Sequence, residues 1–185
     1  MTRLHGLLAA TVLVAACGQA PPQADTTAPP AAAQPHANLA QLMRSVPFTF
    51  SNIIFDAQSA DPGAARKGGD ISEGATAAYR SVYGGWQEVE NSALALAEAA
   101  NLIMIPGRVC ENGKPVPIDR DDFRAAATGL RDAGLAAYKA AQAKDLDAMV
   151  DVAGVVSEAC AACHEPYRDF DNPADRCGGA AAAVE

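Results

Sequence analysis

The 185-residue chain is poor in aromatic residues, with one Trp, four Tyr and five Phe. β-Branched residues are sparse as well, whereas Ala occurs 43 times. That balance argues against a β-sandwich or barrel and for helices, because Ala loses no side-chain entropy in a helix and gives a sheet little to pack. Positive charge is equally short: 14 Lys and Arg stand against 22 Asp and Glu, a formal charge of −8. A nucleic-acid backbone binder would carry a basic footprint, so this class is disfavoured. No apolar run reaches the ~18 residues of a spanning helix, which excludes a multi-pass membrane protein. At this length one domain with a sizeable core is expected rather than two.

Residues 1–16 have the layout of a bacterial lipoprotein signal: Arg3, the apolar run from Leu7 to Val14, then Ala15-Ala16 directly before a cysteine. Under this reading Cys17 is acylated and anchors an exported, periplasmic chain to a bacterial membrane, inner or outer. An ordinary secretory signal with an incidental cysteine is the alternative. Residues 17–37 carry Pro21, Pro22, Pro29, Pro30 and Pro35 among Ala, Gln and Thr, and read as an extended tether. Residues 38–177 are the expected folded domain, and 178–185 a disordered tail.

Four helical segments follow from caps and periodicity. Segment A starts at the N-cap Asn38 and carries Leu39, Leu42, Met43, Val46, Phe50, Ile53 and Ile54 at helical spacings. Pro47 cannot donate to the carbonyl of Met43, so a kink or break is expected near Met43. Segment B opens with Asp70 and Glu73 in a reciprocal cap and continues through Ala78, Tyr79, Val82, Trp86, Val89, Ala93, Leu96, Ala100 and Ile103. A break is expected at Gly84-Gly85 and a stop before Pro106-Gly107. Segment C begins after Asp119 and carries Phe123, Ala127, Leu130, Ala137, Tyr138 and Ala141. Segment D begins at Asp145 and aligns Leu146, Met149, Ala153, Val156, Cys160, Cys163 and Tyr167. A link of about four residues between C and D demands antiparallel neighbours. The reading is all-α, an up-down-up-down four-helix bundle.

Segment D contains Cys160-Ala161-Ala162-Cys163-His164. C-x-x-C-H is the attachment signature of c-type haem: two thiols on one helical turn form thioethers with the porphyrin vinyls, and the adjacent His ligates the iron. Two rival chemistries and a chance occurrence of the motif are the alternatives. A thioredoxin-like redox pair sits at a helix N-terminus beside a βαβ pattern, and neither is present. A structural zinc could use Cys160, Cys163, Cys110 and Cys177, but only one C-x-x-C pair exists. The expected cofactor is therefore one haem c, bound through Cys160 and Cys163 with His164 on the iron. No paired carboxylates, nucleophile motif or phosphate loop suggests a hydrolase or transferase.

Only 21 residues follow His164, and none is Met or His. A motif this late, with the run Cys160 to Arg168, the Lys144-Asp145-Leu146 helix start and Met43-Arg44 on segment A, resembles the class II cytochromes c. These are cytochrome c′ and its six-coordinate relatives. The resemblance implies a four-helix bundle with haem near its C-terminal end. Two features depart from that pattern: Pro47 inside segment A, and a long B–C connection, 108–119, that contains a cysteine.

The sixth iron ligand decides between two chemistries. In an up-down-up-down bundle segment A starts where D finishes, which brings Met43 near His164. Met149, 15 residues earlier on the same helix, sits about 22 Å away. Met104 lies on the diagonal segment, and His36 in the tether. The six-coordinate relatives, with Met followed by a basic residue, favour Met43; core filler is the bland alternative. A Met ligand favours Fe(II) and fills the site, an electron-transfer design, whereas an open site suits small gaseous ligands. Arg168, one turn after His164, and Arg44 are candidates for the haem propionates, or else solvated surface residues. Tyr167 and Phe170 are expected to wall the pocket, and Trp86 to fill core.

The expected function is a non-enzymatic electron carrier that is lipid-tethered and serves periplasmic or membrane redox proteins. A gas-binding cytochrome c′-type protein and a tethered haem subunit of a larger dehydrogenase are the alternatives. A homodimer is an analogy from the resemblance. With Cys17, Cys160 and Cys163 assigned, Cys110 and Cys177 remain. Each follows a helix that ends at the same end of the proposed bundle, which predicts a disulfide in an oxidising compartment.

Overall fold

A computed structural model of the chain describes residues 33–64 and 83–178. The expected signal, Cys17, most of the tether, the Asp70–Glu73 cap with Ala78, Tyr79 and Val82, and the tail from 179 lie outside the described residues. Helix α1 spans Leu39–Ser45 and α2 spans Pro47–Asp56. Asn38 accepts from the Gln41 backbone N–H at 2.8 Å, and the Gln41 amide oxygen accepts from the Asn38 N–H at 2.9 Å. This reciprocal cap satisfies two otherwise unpaired donors. The break in segment A falls at Val46 (φ −123°, ψ −72°), three residues later than Met43. The reason is local: Val46 still donates to Leu42 O at 3.0 Å, so α1 runs on until Pro47. Pro47 then takes the first position of α2, where a missing N–H costs nothing.

Helix α3 spans Trp86–Ile103, α4 Asp121–Ala143 and α5 Leu146–Tyr167. The break expected at Gly84-Gly85 is present. Gly85 has φ +71°, and a Cβ there would lie 2.7 Å from Pro62 O, so only glycine fits. Between α4 and α5 the chain reverses in two residues rather than about four, because Lys144 adopts the left-handed conformation (φ 54°, ψ 39°). Asp145 caps α5 by accepting from Ala148 N–H at 3.0 Å. Apart from an isolated bridge between Val109 and Pro115, the described residues contain no strand. None of their helices is long and apolar enough to cross a membrane.

The helices pack in a ring: α2 on α3, α3 on α4, α4 on α5, with α5 touching α2 only lightly. Leu96 and Ile103 of α3, Phe123 and Leu130 of α4, Met149 and Val156 of α5 and Ile54 of α2 fill the centre. Small residues let α3 and α4 approach closely at Gly134, which faces the backbone of Ala93 and Ala97. Leu146 departs from the predicted stripe; as the first residue of α5 it faces solvent. Trp86 is half-buried against the core.

The segment between α3 and α4 doubles back on itself, with Cys110 N–H to Lys114 O at 2.8 Å and Val116 N–H to Arg108 O at 3.0 Å. Arg108 is buried and donates to Ala37 O (2.5 Å) and to Leu102 O (2.8 Å). Leu39 N–H reaches Val109 O at 2.8 Å. These bonds join the start of α1 to the end of α3. Beyond α5 a short 3-10 turn, Pro173–Asp175, leads to Cys177, which is disulfide-bonded to Cys110 with Cα atoms 6.5 Å apart. The start of α1 and the ends of α3 and α5 therefore gather at one end of the molecule.

Candidate functional site

The lightly packed seam between α2 and α5 opens into a cavity of about 480 Å³. Helix α5 contributes Cys160, Cys163 and His164 to its wall, α1 contributes Leu39, Met43 and Arg44, and α2 contributes Phe48 and Phe55. Glu111, Arg176 and the Cys110–Cys177 pair close its rim. The motif residues reach one space because three residues separate the cysteines, close to one helical turn, and His164 follows directly. Met43 and His164, on different helices, thus line the same cavity. Met43 and Met104 both pack against the core, but Met104 does not line the cavity, Met149 is fully buried within the core, and His36 is exposed ahead of α1.

Burial pushes the Cys163 thiol up to about 11, with the neighbouring Cys160 adding to the shift and Arg168 opposing it. Cys160 is raised for the same chief reason. A redox-active pair needs a lowered thiol pKa, so this environment does not suit a thioredoxin-type reaction. Burial, followed by the charge of Arg168, holds His164 below the usual imidazole value. A neutral imidazole is the form that ligates a metal. Cys110 and Cys177 bond to each other, and among the described residues no group of three His, Cys, Asp or Glu is arranged to hold a metal ion by itself.

Tyr167 lines the cavity, but its hydroxyl is committed elsewhere. It donates to Asp122 Oδ1 at 2.6 Å and accepts from Arg120 Nε at 2.9 Å. Its ring stands edge-on to Phe123, with centroids 5.1 Å apart at 87°. The Arg120 guanidinium, then the Tyr167 hydroxyl, holds the Asp122 carboxyl well below the usual carboxylate range. Phe170 does not join the wall; it lies past the end of α5, its N–H bonded to Arg168 O. Arg168 lines the cavity while pairing with Asp169 at 2.6 Å, and Arg44 lines it while approaching Glu111 at 3.7 Å.

Sequence reading missed Phe48, Phe55, Glu111 and Arg176. The last two had a signal: each is the chain neighbour of a cysteine in the predicted disulfide. The cavity falls within the ~300–1,000 Å³ of typical cofactor sites. Its apolar walls, paired thiols, neutral imidazole and cationic rim fit an amphipathic, iron-bearing macrocycle with acidic side arms.

Residues 116–168 match the family model described as Cytochrome C′. The match takes in the whole of α4 and α5 with Cys160, Cys163, His164, Tyr167 and Arg168, and stops short of α1, Met43 and the disulfide. No curated protein and no solved structure shows a significant match to the chain.

Proposed function

We propose that this chain, whose motif-bearing stretch belongs with the class II cytochromes c, is a mono-haem electron carrier with His/Met ligation. In this reading Cys160 and Cys163 hold the haem through thioethers, His164 is the proximal ligand and Met43 the sixth. The helices alternate up and down, with Cys17 as the lipid anchor in the periplasm and redox proteins as partners. The haem, when bound, supplies one-electron chemistry at its iron.

The chain's own residues then have separate tasks. His164, kept neutral by burial, offers a ring nitrogen. Met43 would offer a thioether from α1 to the iron and so compete with small ligands. Leu39 and Phe55 exclude water, while Phe48, 69% exposed, leaves one edge of the cavity open to a partner. Electron exchange needs such an edge and no substrate pocket.

The observation that supports this reading most directly is that Met43 and His164 line one cavity from different helices. The test is the optical spectrum of the ferrous protein with and without carbon monoxide. The unaltered protein is expected to be low-spin and to refuse carbon monoxide at neutral pH. Met43→Ala should keep its covalent haem but become high-spin and ligand-accessible. Rapid, complete carbon monoxide binding by the unaltered protein would instead establish the gas-binding alternative, and an unchanged low-spin spectrum in Met43→Ala would show that Met43 is core filler.

A further inference from the structure

Outside the stretch matched by the family model, three charged groups meet at the rim of the cavity. Glu111 follows Cys110 and Arg176 precedes Cys177, so the disulfide sets them face to face. Arg176 Nη1 lies 3.6 Å from Glu111 Oε2, and Arg44 Nη1 lies 3.7 Å from Glu111 Oε1. Charge-assisted contacts close to about 2.7–2.9 Å, so neither guanidinium has closed on the carboxylate they share. The third guanidinium on the rim, Arg168, is already paired with Asp169. Three cations against two carboxylates leave one positive charge uncompensated.

The surplus can be assigned. Arg44 is 65% exposed and water can serve it. Arg176 is less exposed, and its Nε is buried without a hydrogen-bond partner among the described residues. A buried donor with no acceptor is rare in folded proteins, so of the rim cations Arg176 is the one least well served by its surroundings. Nor is this arginine on a fraying end. Cys177 N–H donates to Tyr167 O at 2.8 Å, and the Asn112 amide donates to Arg176 O at 2.9 Å and to Pro173 O and Ala174 O at 3.2 Å. Cys177 itself adopts φ +65°, uncommon for a residue other than glycine and sustained where surroundings fix it.

We propose that Arg176 binds a carboxylate of the cavity's occupant, one propionate of the haem, and that the Cys110–Cys177 disulfide delivers it there. The inference rests on the haem reading above. The two Nη atoms of the guanidinium form a fork that matches the two oxygens of a carboxylate, which the single point charge of a lysine does not. An uncompensated propionate favours the more positive, oxidised iron. A guanidinium beside it offsets that preference and raises the reduction potential.

The test is an equilibrium redox titration of holoproteins whose covalent haem content has first been measured under denaturing conditions. Arg176→Gln is expected to lower the midpoint potential, Arg176→Lys to recover part of the loss, and the lowering to persist in a Glu111→Gln background. Cys110→Ala with Cys177→Ala should lower the potential in the same direction, and adding Arg176→Gln to that pair should lower it little further. An unchanged potential in fully haem-loaded Arg176→Gln overturns the proposal. So does a shift that vanishes in Glu111→Gln, since Arg176 would then serve only Glu111. Fully additive effects of the cysteine pair and Arg176→Gln overturn delivery by the disulfide. Absence of covalent haem from the unaltered protein is a different failure, of the haem reading itself.

Discussion

Replacing Cys110 and Cys177 by alanine together removes a covalent link between residues 67 positions apart. In the chain-entropy account, closing a loop of that size withholds about 14–15 cal/mol/K from the unfolded chain, or about 4 kcal/mol at 25 °C. The bonds from Asn112 to three carbonyls and from Cys177 N–H to Tyr167 O span the same junction, so any loosening of them once the link is gone adds to this loss. Haem held as proposed would not substitute for the link, since Cys160 and Cys163 lie within one turn of α5. With a urea dependence of about 2 kcal/mol per molar for a domain of this size, the unfolding midpoint should fall by about 2 M. Far-UV circular dichroism and haem absorbance followed in the same titration supply the measurement, and thiol titration of the denatured, unreduced holoprotein should find no free cysteine in the 110–177 pair. A loss below about 1 kcal/mol, with an unchanged urea dependence, would refute the reasoning, because the loop would then not be restraining the unfolded chain.

Two further outcomes are expected. Gly134→Ala should destabilise by about 1–2 kcal/mol despite the better helix propensity of Ala, because overpacking outweighs it. The new Cβ would lie 2.7 Å from Ala97 N and 3.0 Å from Ala93 O, backbone atoms that cannot swing aside. Gly154→Ala, with nothing within 4 Å, should instead stabilise by about 0.5–1 kcal/mol, and equal urea midpoints for the two variants would contradict this account of the α3–α4 contact. Asp122→Asn tests the Arg120–Asp122–Tyr167 cluster by its pH dependence. The carboxyl is held below its unfolded value of 3.8, so its contribution is complete above that pH and is lost as pH falls toward the folded value. The stability gap between the unaltered protein and Asp122→Asn should therefore narrow from pH 5 toward about pH 2, and parallel stability curves over that range would rule the linkage out.

Much of this arrangement was legible in the sequence where a single residue carries the constraint locally. Asn38 and Asp145 announced two helix starts, Gly85 a break and Pro47 another, because capping and φ restrictions act over a few residues. The cysteine pair was legible once topology placed two helix ends together. Contacts set by tertiary approach were not. The hydrogen bond from Tyr167 to Asp122 spans 45 positions, and nothing in either neighbourhood signals it. Arg108 reads as a surface cation, yet it is buried because Ala37 and Leu102 carbonyls happen to converge on it. Leu146 shows the converse error: periodicity assigned it to the core, but the first residue of a helix lies beyond the reach of its neighbours.

Pro47 and the long connection before α4 stood out as separate departures from the family pattern, and the structure makes them one device. A seven-residue helix such as α1 is too short to hold itself together, since nucleation costs more than so few hydrogen bonds return. The stop at Val46 also frees α1 from continuing the axis of α2. Leu42 packs α1 into the core, and the connection ties it further: Leu39 N–H to Val109 O, Arg108 to Ala37 O, Arg44 toward Glu111. The connection is in turn fixed to the end of α5 by the disulfide and Asn112. Met43 rides on α1 and His164 on α5. The path that sets one against the other therefore runs through the loop and the disulfide as well as through helix packing, which is light between α2 and α5.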